Sequence, residues 1–335
     1  MKKLLRLCVC AFVSLIFVLG FSACGASENE NAVNLVAIEA NNVGLMSDVD
    51  YYVVPEPAAS AKVKATDLNF VGDLQSLYGG AQGYPQAVVV AKNGLLGTEI
   101  LDKFIAALSS VDEWLLSEGT AIETIVGAIQ SHITEGLESS IKVQNLTKSV
   151  IKNCGIKFVT ASDSKAEILS FMEKFNSISE SSFGVPEDEF FFDGTGENHE
   201  YSQKISVYAP DGAPAVGLAK LISENALDNT EYHVVDPATV QALVGGAEPK
   251  ADICVLPVNV AVKLLGNAKN YKLIGTLTHG NLYLLSKNST EISVNNLEQL
   301  KGKTVGVVNL AQVPGLTFKL ILKNYGIEFV EPYDD

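Results

Sequence analysis

Short runs of β-branched and aromatic residues alternate along this chain with stretches whose apolar positions recur every three or four residues, most clearly in the second half. The pattern predicts strands at Lys204–Ala209, Glu231–Val235, Asp252–Leu256 and Lys272–Thr278, the last running on past a Gly280-Asn281 break into Leu282–Ser286, and then at Thr304–Val308 and Glu328–Glu331. Helices are predicted between them at Pro214–Asn225, Pro237–Val244, Val258–Leu265, Val294–Leu300 and Leu316–Tyr325. In the first half, Val33–Glu39, Asp50–Val54 and Ala87–Lys92 read as strands and Glu56–Lys64 as a helix. From Glu99 the spacing turns helical, over Glu99–Glu118, Ala121–His132, Leu146–Asn153 and Ser164–Ser177. Strands separated by helices predict an α/β fold with mostly parallel sheets flanked by helices. Asp193–Gln203 is polar, contains two glycines and has no period, which makes it a linker.

The first 23 residues break the pattern. Lys2, Lys3 and Arg6 precede an apolar run from Leu7 to Leu19, and small residues lead into Cys24 (Phe21-Ser22-Ala23-Cys24). A basic start, an apolar run shorter than the about 20 residues of a spanning helix, and small residues at a break are features of a secretory signal. The segment resembles a bacterial lipobox, although Phe21 stands where Leu is more usual. That resemblance implies lipidation of Cys24, removal of residues 1–23, and a mature chain anchored by lipid on the extracytoplasmic face of the cell membrane. An ordinary secretory signal and an uncleaved anchor are the alternatives. Residues 24–32 then form a polar tether.

Charge and chemistry narrow the class. The formal net charge is −15, and loss of three positive residues with the signal makes it −18. Acidity with singly scattered lysines disfavours nucleic acid. Roughly 310 mature residues exceed one small core and predict two domains. Cys154 and Cys254 lie in apolar contexts and read as buried free thiols rather than a disulfide framework. His132, His199, His233 and His279 are isolated, so a metal site is not expected, and no nucleophile elbow, Walker loop or dinucleotide turn is present. No catalytic residue and no cofactor are expected.

Four junctions have the form of a strand running into a helix N-terminus: Ala209–Pro214, Leu256–Asn259, Val54–Pro57 and Asn309–Gly315. In open α/β sheets such junctions face ligands, and proline in a first helical turn sacrifices no hydrogen bond. The runs Lys204–Ala215 (KISVYAPDGAPA), Ala251–Asn259 (ADICVLPVN), Leu277–Leu284 (LTHGNLYL) and Leu300–Gly306 (LKGKTVG) resemble the amino-terminal half of ABC-transporter solute-binding proteins, in the branch of the nitrate, sulfonate and thiamine-precursor binding proteins. Val49–Ala58 (VDYYVVPEPA) and Gly83–Ala91 (GYPQAVVVA) resemble that family's carboxyl-terminal half, in reversed order.

The resemblance implies a two-lobed type II periplasmic-binding-protein fold whose chain order is circularly permuted. One lobe is expected to comprise 87–192 and 204–289, joined by the linker 193–203, and the other 33–86 and 290–335. Crossings, and hence a hinge, are expected near Gln82–Val90 and Leu285–Thr290. Fraying is expected at Ala32–Glu39 and Val330–Asp335.

The implied function is that of an extracytoplasmic solute-binding lipoprotein, a monomer that closes its lobes on a small polar solute and delivers it to an ABC permease. The expected contacts are Asp211, Gly212, Ala213 and Pro214, with Asn259, Thr278, His279 and Asn281, and from the other lobe Pro314, Gly315, Leu316 and Glu56; Tyr84 is a hinge or wall residue. Asp211 and Glu56 also read as helix caps, and His279 as a brace at the crossover. Arg6 is the only arginine, so bidentate guanidinium recognition of an anion is missing and a cationic or neutral ligand is favoured if Glu56 and Asp211 face the cleft. The competing readings are a membrane-tethered sensor or adhesion module, an inactive product of rearrangement, and an enzyme resembling thiamine-pyrimidine synthases, whose cysteine-rich motif this chain lacks.

Overall fold

The computed structural model describes residues 30–79, 83–178, 183–196 and 198–331; the signal segment, Cys24 and most of the tether lie outside the described residues. Twelve strands are present among the described residues: β1 (Val33–Ile38), β2 (Tyr51–Pro55), β3 (Asn69–Asp73), β4 (Pro85–Lys92), β5 (Ile156–Thr160), β6 (Ile205–Pro210), β7 (Thr230–Val235), β8 (Ile253–Pro257), β9 (Tyr271–His279), β10 (Leu282–Ser286), β11 (Thr304–Val308) and β12 (Phe329–Val330). The α-helices are α1 (Ala58–Ala65), α2 (Leu74–Tyr78), α3 (Glu99–Leu108), α4 (Val111–Leu116), α5 (Ile122–Gln130), α6 (Lys148–Asn153), α7 (Ala161–Ile178), α8 (Ala213–Val216), α9 (Ala219–Ser223), α10 (Val258–Leu265) and α11 (Val313–Asn324). None of the described helices is long and apolar enough to cross a membrane.

The strands form two six-stranded mixed sheets, ordered β12-β1-β11-β2-β10-β3 and β5-β9-β4-β8-β6-β7. The first sheet combines both ends of the described chain: β1 lies between β12 and β11, in parallel with each. The second holds every strand from β4 to β9. The expectation of mostly parallel sheets needs correcting, because five of the ten strand pairings are antiparallel. All five involve β4, β9 or β10, the strands that carry the chain between the sheets and therefore run against their neighbours.

The chain leaves the first sheet after α2, enters the second at β4, and returns through Gly280 and Asn281. The return was expected at Leu285–Thr290. Instead Leu282–Ser286 is already a strand of the first sheet, with β2 on one side and β3 on the other, so its backbone groups are committed there. Gly280 ends β9 with a left-handed φ of 46°, and its N–H donates to the Tyr84 carbonyl at 2.9 Å, so the two crossings touch.

Local chemistry explains the other departures. The long helix expected over Glu99–Glu118 divides at Ser109, whose hydroxyl donates to the Ile105 carbonyl at 2.8 Å and competes with the helix ladder. Pro214–Asn225 divides at Gly217, where a Cβ would meet the Leu277 side chain at 2.9 Å. Pro237–Val244 and Val294–Leu300 contribute only short 3-10 turns at Val240–Leu243 and Leu297–Leu300. One apolar core runs through both sheets, and a smaller one, including Tyr52, Val54, Leu68 and Leu285, covers the outer face of the first.

Candidate functional site

The mutually parallel strands β1, β2 and β11 of the first sheet and β6, β7 and β8 of the second all end, or turn into their next element, at one cavity of about 560 Å³. Its wall includes Ile38 at the end of β1, Pro55 and Glu56 after β2, Pro210–Pro214 after β6, Pro237 and Ala238 after β7, Pro257 after β8, and Asn309–Pro314 after β11. Carboxyl ends of parallel strands are where open α/β sheets bind ligands, since loops there present side chains and unpaired amides.

Eight of the thirteen expected contacts line this cavity: Glu56, Asp211, Gly212, Ala213, Pro214, Thr278, Asn281 and Pro314. Asp211 is anchored by its N–H to the Val235 carbonyl (2.9 Å), and its carboxylate accepts from the Ser139 hydroxyl and the Ser140 N–H. Gly212, with φ 112° and ψ −151°, turns the chain into α8 in a conformation closed to L side chains. Burial pushes the Asp211 carboxyl above the ordinary carboxylate range, and the bonds from Ser139 and Ser140 pull it part of the way back.

Glu56, 1% exposed, caps and lines at once. Its carboxylate accepts from the Ser60 N–H at 2.9 Å and the Ser60 hydroxyl at 2.6 Å, in the first turn of α1. Burial raises this carboxyl too, against hydrogen bonds from Ser60 and Asn153. Asn281 Nδ2 donates to the Glu56 carbonyl at 3.3 Å, leaving Asn281 Oδ1 without a partner. Thr278 Oγ1 and Gln86 Oε1 are likewise buried and unpartnered at the cavity wall.

No known family model matches this sequence, and no curated protein does either.

Five expected contacts sit elsewhere. Asn259 and Leu316 line an adjoining cavity of about 500 Å³, where Asn259 Nδ2 donates to Gln312 Oε1 at 2.9 Å and ties α10 to the turn before α11. Gly315 is packed against its own preceding loop, where a Cβ would lie 1.8 Å from the Leu310 carbonyl oxygen. Tyr84 is fully buried at the crossing, with its hydroxyl donating to Gln75 Oε1 at 3.1 Å and its ring stacked on Phe171. His279 is buried beside it, its N–H bonded to the Gly155 carbonyl at 2.8 Å, and burial with the nearby Lys157 pushes its imidazole down to about 4.

Five polar lining residues were not among the expected contacts, namely Glu39, Gln86, Gln241, Asn309 and Gln312, although the last two belong to the junction Asn309–Gly315 expected to face a ligand. Gln86 carried a legible signal, as the one polar side chain in Pro85–Ala91, an otherwise apolar strand. Glu39 and Gln241 are exposed residues, one extended just after β1 and the other in the 3-10 turn Val240–Leu243, and only the tertiary fold brings them to the cavity. Among the described residues no lysine, arginine, histidine or aromatic ring lines the cavity, while six of the chain's eleven prolines do.

Proposed function

We propose that this protein is an extracytoplasmic, lipid-anchored solute-binding protein of an ABC importer. In this reading the fold is a circularly permuted type II periplasmic-binding fold, and the two sheets with their helices are its lobes. It holds a small polar solute in the 560 Å³ cavity and delivers it to a membrane permease. The observation that carries the proposal is the convergence of six parallel strand ends, three from each sheet, on one cavity whose wall contains unpartnered buried polar atoms. The neighbouring crossings at Tyr84 and Gly280 suit a hinge, since two adjacent strands can bend together while each sheet stays intact. In this reading, with β10 in the first sheet, one lobe holds residues 33–79 and 282–331 and the other the described residues of 84–279, and the stretch 193–203 joins the family's usual termini.

The test is a thermal-melt screen of the purified chain against thiamine precursors, nucleobases, amino acids, polyamines, sulfonates, nitrate and bicarbonate. A solute at 100 times its dissociation constant adds about 2.7 kcal/mol to a folded state that alone binds it. A shift with one class is expected; a cooperative melt unmoved by every class rejects the solute-binding assignment.

A further inference from the structure

Resting on that solute-binding reading, we infer that the cavity takes aliphatic amines whose ammonium groups carry N–H donors, in preference to anions, neutral polyols and quaternary ammonium ions. The first ground is charge. Glu39, Glu56 and Asp211 line the cavity with no lysine, arginine or histidine beside them among the described residues. A carboxylate removed from water needs a cation or several donors, and each offers about four acceptor positions. Glu56 receives donors from Ser60, and Asp211 from Ser139 and Ser140, so each retains capacity for a ligand.

The second ground is the polarity of the unpartnered atoms. Asn281 Oδ1, Gln86 Oε1 and Thr278 Oγ1 find no partner, although Thr278 is 1% and Asn281 2% exposed. The orientation of the Asn281 amide is set by its bond to the Glu56 carbonyl, so the oxygen is the atom left over. Two of these atoms only accept and the hydroxyl can accept, which calls for a ligand rich in donors.

The third ground is that several features that would favour an anion are engaged or missing. The Glu56 carboxylate already takes the Ser60 N–H in the first turn of α1, Pro214 and Pro314 have no N–H to offer, and the Leu316 N–H donates to the Gln312 carbonyl at 3.0 Å. Quaternary ammonium recognition relies on aromatic faces, and no ring lines this wall among the described residues. Such a cation also has no N–H for the orphaned oxygens.

The experiment is calorimetric titration of the full chain with 1,4-diaminobutane and with butylamine, beside 1,4-butanediol, succinate and tetramethylammonium. The amines are expected to bind at least tenfold more tightly than any of the other three. Affinity should also rise from pH 5 to pH 7, because the buried carboxyl groups release protons on meeting a cation. Asp211→Asn should weaken amine binding at least tenfold. Because that change also touches Ser139, Thr278→Val serves as the second variant: it removes a hydroxyl with no partner in the protein, so the melt should hold while amine affinity falls severalfold. Tight binding of succinate or tetramethylammonium without the amines overturns the inference and leaves a solute-binding protein standing. No binding by any of the five also overturns it, and the wider screen above then decides the solute-binding reading separately.

Discussion

Glu56 and Asp211 show how one side chain serves both the fold and the cavity. Each sits where a strand turns into a helix, and each spends part of its carboxylate on local donors while facing the cavity. The sequence offered capping and ligand contact as alternatives, and the structure makes them simultaneous, because a carboxylate has more acceptor positions than one turn can fill. His279 shows the opposite outcome, a polar residue among site motifs that the fold buries at the crossing. Its imidazole stays neutral in the folded protein down to about pH 4, whereas in the unfolded chain it gains a proton near 6.5. Below 6.5 the unfolded state therefore binds more protons, and stability is lost as pH falls toward 4, by up to roughly 3 kcal/mol. The raised carboxyl groups of Glu56 and Asp211 act in the other sense, costing stability as pH rises from the ordinary carboxylate range through their folded values. Comparing His279→Gln with the parent chain isolates the histidine: denaturant unfolding at pH 7 and pH 4.5 should show the parent losing about 2–3 kcal/mol more on acidification than the variant. Equal losses would sink this account.

At the scale of elements, strong periodicity was legible and edges were not. The span of α10 and that of β10 were read correctly from apolar spacing, and β11 likewise, since each is buried in a regular pattern. β3 and β5 went unread. The first contains Asn69, Gly72 and Asp73, poor strand formers tolerated at a sheet edge, and the second is a five-residue edge strand beside β9. α2 was missed as well, a five-residue helix that its Asp73 cap sustains by accepting from the Gln75 and Ser76 N–H groups. Position within a sheet also changes an expectation about fraying. β1 was expected to fray as a near-terminal strand, yet Asn34–Ile38 are paired with β11, Val33 is paired with Phe329 of β12, and Val33 and Leu35 are buried. β12 is two residues long and lies at the edge. Hydrogen exchange should find the β1 amides protected close to the level of global unfolding and those of β12 exchanging much faster; equal rates in the two strands would contradict this sheet order.

The whole molecule closes its first sheet with residues from opposite ends of the chain, as in Leu282 opposite Pro55 and Asn34 opposite Thr304. If this order is a circular permutation, restoring the other order should preserve the fold. A chain starting at Tyr201 and ending at Asp193, with Glu331 joined to Ala32 through about ten flexible residues, should melt cooperatively and bind the same solute. Loss of cooperative melting in that chain would count against the permutation. Long-range pairings of this kind also mark the boundary of what could be read without coordinates. The sequence by itself determined the α/β class, most of the strands and helices, and the strand-to-helix turns at Asp211, Glu56 and Pro314, because burial periodicity and turn chemistry are properties of a few adjacent residues. Only the tertiary structure decided that these turns share one cavity, that Tyr84 and His279 brace a crossing and Asn259 faces an adjoining chamber, and that Gln86, Gln241 and Glu39 join the wall. Convergence depends on which strands pair across more than two hundred residues, and a local pattern carries no record of that partner.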